Sequence, residues 1–139
     1  MEGEQPTSGV LTSPNYPEDY QNNLNVVQKI QVPEGNTIWM RFTGNFDIER
    51  NVDWVEVADK DGSILWASMS DDFWELRDGG FVSNTNSVEV QFHTDGSVTE
   101  EGWRLDWGEC ERNLNWVHFT QCNYQEWSEM RKACQRVGS

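Results

Sequence analysis

From Val26 to Trp107 apolar residues recur at every second position, the period of a half-buried strand and not of a helix. The clearest runs are Ile30 and Val32, then Ile38, Met40 and Phe42, then Val55 and Val57, then Val88, Val90 and Phe92, and last Trp103, Leu105 and Trp107. Arg41, Glu56, Glu89 and Arg104 interleave with them and are expected on the opposite, wetter face. Turn-forming clusters separate the runs at Pro33 to Asn36, Asp59 to Gly62, Arg77 to Gly80 and Thr94 to Ser97. Short strands at this spacing predict an all-β fold built of two packed antiparallel sheets.

The pattern changes after Trp107. Asn115 to Phe119 could add a strand, and from Asn123 onward Tyr124, Trp127, Met130, Cys134 and Val137 fall on one side of a helix. Asn123 suits an N-cap with Glu126 as its capping-box partner, and Gly138 stands where such a helix would stop. The apolar side of this helix is expected either to pack on the sandwich or to meet a neighbouring module. The expected organisation is a flexible leader over residues 1–8, a sandwich domain over 9–109 and an extension with one helix over 110–139.

Charge narrows the possible partners. Across 139 residues, 24 acidic against 10 basic side chains leave a formal net charge of -14. Such a surface opposes nucleic acid and the anionic face of a membrane, so the expected partner is a protein with exposed basic residues. No run approaches the roughly 18 apolar residues of a membrane span. The opening residues lack the basic and apolar regions of a signal peptide, so an intracellular protein and a piece of a longer one are both open readings.

Longer motifs are also present. Gly9-Val10-Leu11-Thr12-Ser13-Pro14-Asn15-Tyr16-Pro17, with Tyr20 and Asn23 beyond it, is followed in order by Pro33-Glu34-Gly35, Phe46-Asp47-Ile48-Glu49 and Asp53-Trp54-Val55-Glu56-Val57. Ser83 to Phe92 and Asp95-Gly96-Ser97 to Gly102-Trp103 complete the series. In content and order these segments resemble a CUB domain. The resemblance implies a jelly-roll β-sandwich, with a short C-terminal helical extension beyond its reach. It departs from the family at the usual disulfide positions: Val26 stands where a cysteine is common, and the central cysteine pair is missing. Both members of each pair are gone, which leaves the compartment open between extracellular and cytoplasmic.

The resemblance also implies a metal site. A calcium-binding subset of the family uses acids that match Glu49, Asp53 and Asp95 here, with Ser97 as a further oxygen donor from the same turn. Calcium takes six to eight oxygen ligands, and three carboxylates with carbonyls and water meet that demand. The family places an Asn near Val98 in some members, and its absence is expected to weaken the site. Glu49, Asp53 and Asp95 are the expected partner-binding residues too, since a calcium-held acidic cluster can accept a Lys or Arg through charge-assisted hydrogen bonds.

The function these readings imply is a non-catalytic, calcium-dependent module of adhesion or assembly that recognises a basic surface. The alternative is an intracellular scaffold domain with no role for calcium. Glycan binding is a lesser reading, resting on Trp39, Trp54 and Trp66 at outward strand positions. Neither His93 nor His118 belongs to a recognisable catalytic motif, so no enzyme is expected. Cys110, Cys122 and Cys134 are odd in number and lack the spacing of a zinc site. One disulfide and one free thiol is the expected oxidised state. A helix over 123–137 would hold Cys122 and Cys134 roughly 18 Å apart, so the bridge is expected to involve Cys110.

Overall fold

A computed structural model of the chain describes residues 8–50, 52–69, 80–112 and 120–122. The expected leader, apart from Ser8, the strand at Asn115 to Phe119, the helix from Asn123 and most of the turn at Arg77 to Gly80 lie outside the described residues. Among the described residues no helix is long and apolar enough to cross a membrane.

Nine strands are present among them: β1 (Ser8–Thr12), β2 (Asn25–Gln31), β3 (Thr37–Asp47), β4 (Trp54–Asp59), β5 (Ile64–Ala67), β6 (Phe81–Val82), β7 (Ser87–His93), β8 (Gly102–Arg112) and β9 (Thr120–Cys122). They form two antiparallel sheets. One runs β1-β8-β3-β6 with β9 also on β8, and the other runs β2-β7-β4-β5. The alternation seen in the sequence has a direct physical outcome, because successive side chains on a strand leave opposite faces. Ile30, Val32, Ile38, Met40, Phe42, Val55, Val57, Val88, Val90, Phe92, Trp103, Leu105 and Trp107 all lie in the core between the sheets.

An aromatic cluster fills the centre. Phe92 meets Tyr20 edge to face at 5.0 Å and Trp103 at 5.8 Å, and Phe42 lies 4.3 Å from Trp66. The exposure expected for Trp39 and Trp66 is corrected here. A register shift between Val57 and Ala58 sets Trp66 opposite the inward Val57, so its ring joins the core at 1% exposure. Trp39 is also fully buried, with Gly80 so close that a Cβ there would stand 3.2 Å from the indole.

Turn chemistry fixes the strand ends. Gly35 and Gly62 take positive φ in the turns at Pro33 and Asp59, closed by Asn36 N to Pro33 O at 3.2 Å and Gly62 N to Asp59 O at 2.9 Å. In β3 the pairing with β8 shifts register between Thr43 and Asp47, where Gly44 has φ of 67°. Such a bulge bends the strand and re-aims the residues beyond it. At the end of β8's pairing with β3, where it stands opposite Thr37, Cys110 is disulfide-bonded, and the β8–β9 register puts the Cα of Cys122 on its other side.

Candidate metal centre

Three connections meet at one end of the sandwich. Glu49 and Asp53 bound the β3–β4 connection, Asp95 lies just beyond β7, and Tyr20 and Asn23 belong to the β1–β2 connection. Glu49, Asp53 and Asp95 each offer a carboxylate oxygen, and these oxygens lie within 4.8 Å of one another. Asp53 is fully buried, while Glu49 and Asp95 are half-buried.

The backbone builds this convergence. Asp53 N and Val52 N donate to Glu49 O at 2.9 and 3.2 Å, folding the connection into a tight turn that brings two acids together. Asp95 N donates to Asp53 Oδ1 at 3.0 Å, and Asn23 N donates to Asp95 O at 2.7 Å, so the third acid is tied to both other connections. Ser97 is exposed on the Asp95 turn, and its N–H donates to Asp95 Oδ1 at 3.2 Å. Beside it Val98 has φ of 60°. A β-branched residue is a genuine outlier in that left-handed region.

Tyr20 ties this end to the core. Its ring packs on Phe92, and its hydroxyl donates to Asp53 Oδ2 at 2.5 Å and accepts from Glu49 N at 3.1 Å. Burial and the hydrogen bond to Asp53 push the Tyr20 hydroxyl pKa upward, which keeps it a donor.

The cluster is electrostatically tense. Lost solvation, then the charges of Asp95 and Asp53, raise the Glu49 pKa above the ordinary carboxylate range. Glu100 is raised as well, first by Asp47, then by lost solvation. Glu49 Oε1 is buried without a hydrogen-bond partner among the described residues. Like charges held this close disfavour one another unless a cation or proton intervenes. Hard carboxylate oxygens on short connections, one of them buried and unsatisfied, fit a calcium ion.

Comparison with known proteins places the chain. The family profile of the CUB domain matches residues 3–107. The chain belongs to the CUB family. CUB domains are non-catalytic modules of protein interaction, though several relatives of this one are parts of proteases. Over 117 residues this CUB domain is 33% identical to bone morphogenetic protein 1 of Xenopus laevis, covering 78% of the chain and 16% of the relative. It is 37% identical over 105 residues to a bone morphogenetic protein 1 homolog of Strongylocentrotus purpuratus, covering 71% of the chain and 16% of that protein. The chain thus spans about a sixth of these relatives. In structure it resembles the MASP-1 CUB2 domain bound to Ca2+, with a TM-score of 0.63, 22% identity, and coverage of 78% of the chain and 99% of that one. It also resembles the full extracellular region of zebrafish Gpr126/Adgrg6, with a TM-score of 0.65, 25% identity, and coverage of 76% of the chain and 14% of that one.

In this CUB domain the three acids expected from the sequence do come together. Tyr20, which positions two of them, was not among the expected site residues. Its place in the opening motif was the available signal, but a tyrosine spaced 33 residues from Asp53 reads as core until the fold closes.

Proposed function

We propose that Glu49, Asp53 and Asp95 bind calcium, with Ser97 contributing from the adjacent turn, and that the calcium-ordered cluster receives a Lys or Arg of a partner protein. The observation that carries this reading is the convergence of three carboxylates within 4.8 Å on separate connections. The unsatisfied Glu49 Oε1 and the raised Glu49 pKa support it. The calcium-bound MASP-1 CUB2 structure gives the same fold with that ion present.

When bound, calcium supplies positive charge that lets all three acids ionise together. The chain's own groups do the rest. Tyr20 Oη and Asp95 N hold the Asp53 carboxylate in place, and the Glu49 turn sets its neighbour. Carboxylate lone pairs left over can accept a partner's ammonium or guanidinium. The chain acts by binding and performs no reaction of its own. Its compartment is extracellular. The disulfide at Cys110 supports that address, as does likeness to an extracellular region.

Calorimetric titration of calcium into the chelator-treated domain tests the reading, alongside thermal melting. At ten times its dissociation constant, an ion bound only to the folded state adds about 1.4 kcal/mol. Asp53→Asn should abolish both the heat of binding and the rise in midpoint. Identical melting curves with chelator and with millimolar calcium would rule calcium out.

A further inference from the structure

The end of the sandwich opposite the acidic cluster carries a polar cleft. In the register of β2, β4 and β7, Asn25, Trp54 and His93 lie at the cluster's end, and Gln31, Asp59 and Ser87 lie at the other. The β2–β3 turn, the β4–β5 turn and the β6–β7 connection meet there around a cleft of about 380 Å³, within the range of small-ligand sites. Apart from Gly35, every residue lining it is polar or charged. Hydrogen bonds between the connections hold its walls. Asp59 accepts from Asn84 N at 2.5 Å and Thr85 Oγ1 at 2.6 Å, and Lys60 N donates to Ser87 O at 3.0 Å. Val32 N donates to Asn86 O, and Asn86 Nδ2 donates back to Val32 O, both at 2.9 Å.

The hydrogen-bonding groups left over in this cleft are mostly acceptors. Asn36, Asn84 and Asn86 each direct Nδ2 to the protein itself, to Glu109, Asp61 and Val32 O, and no hydrogen bond reaches their Oδ1 atoms among the described residues. Thr37, only 3% exposed, also lines the cleft, and its hydroxyl has no partner among the described residues. Lys60 is the one cation in the lining, against the carboxylates of Glu34 and Asp61. We infer that this cleft binds a neutral saccharide unit. Each sugar hydroxyl both donates and accepts, so one ring can serve the free amide oxygens and the Lys60 ammonium together. An anion would be opposed by Glu34 and Asp61, an ammonium would meet Lys60, and an apolar ligand finds no apolar side chain to cover it. Walls already pinned by hydrogen bonds lose little freedom when a ligand docks. Trp39 and Trp66, buried in the core, take no part.

NMR titration of the full chain with glucose, galactose, mannose and N-acetylglucosamine, each as free sugar and as methyl glycoside, tests the assignment, with glycerol and n-butylammonium as controls. At least one sugar should bind with a Kd on the order of 1–10 mM and shift the backbone amides of Asn36, Thr37, Asn84 and Asn86, equally in calcium and in chelator. Preference for the glycoside assigns the cleft to the end residue of a glycan and preference for the free form to a free sugar, and either upholds the inference. Asn84→Ala removes an exposed amide and Thr37→Val an unpaired hydroxyl, so both variants should fold and melt close to the parent. Each should weaken the sugar about five- to tenfold. Shifts as large with glycerol, a stronger response to n-butylammonium, or sugar affinity unchanged in both variants overturns the inference. So does the absence of any shift at sugar concentrations well above that range. None of these outcomes bears on the calcium reading, which its own titration decides.

Discussion

Tyr20 Oη lies 2.5 Å from Asp53 Oδ2, joining two residues 33 positions apart. The same hydroxyl accepts from Glu49 N, so one phenol holds both ends of the β3–β4 connection. Asp53 is fully buried, and a buried carboxylate needs donors. Tyr20→Phe keeps the ring against Phe92 and removes only the hydroxyl. It should cost about 1.5–3 kcal/mol, the range for a hydrogen bond to a charged group, and weaken calcium several-fold. Urea denaturation with chelator and calorimetry with calcium measure the two effects separately. A variant as stable as the parent would show that this contact contributes nothing.

Val98 tests how the Asp95 turn is held. Its φ of 60° is disfavoured for a β-branched side chain, and such strain costs on the order of 1–3 kcal/mol. Asn tolerates this region far better. Val98→Asn should therefore raise stability by about 1 kcal/mol and place an amide oxygen beside the cluster, tightening calcium. Thermal melts with and without the ion check both parts. A loss of stability would mean that the valine side chain makes a compensating contact.

The acidic cluster also sets a pH dependence. Glu49 and Glu100 have pKa values raised by lost solvation and by neighbouring acids, so the metal-free folded state holds these protons more tightly than the unfolded chain does. Stability contributed by these groups is then present below their unfolded pKa, about 4.3, and is lost as pH rises through their raised folded values. Asp61 acts in the opposite sense. Its side-chain and backbone hydrogen bonds from Ser63 lower its pKa, and its contribution is lost as pH falls through that lowered value. Melts in chelator should therefore show stability increasing as pH drops from neutral to about 5. Calcium needs ionised carboxylates, so its added stability should shrink over the same interval. Parallel curves with and without calcium across this range would contradict the assignment of Glu49 as a ligand.

Peptide mapping without reductant should find Cys110 linked to Cys122, with Cys134 alkylated. Directly opposed residues of an antiparallel pair have Cα atoms about 4.5–5.5 Å apart, within reach of a disulfide. Closing so short a loop should add about 3 kcal/mol, which reduction would remove. Recovery of a Cys110–Cys134 peptide instead would overturn the pairing.

The sequence by itself determined the all-β class and nearly the whole core, because strand period depends only on neighbouring residues along the chain. Ile38, Met40 and Phe42 alternate toward one side whatever else the chain does, and burial is the result. Resemblance to the motifs of the CUB family marked Glu49, Asp53 and Asp95. Only the tertiary structure decided the features that depend on contacts across the chain. Trp66 reads as outward by simple alternation, yet a one-residue shift of β4 against β5 turns it inward. Tyr20 becomes a site residue only when its connection meets the one bearing Glu49 and Asp53. The left-handed Val98 and the stacking of Trp54 on His93 are set by how separate strands and turns are pinned together. Local periodicity carries information over a few residues, whereas register and loop convergence are fixed by packing between segments tens of residues apart, where no single stretch of sequence holds the answer.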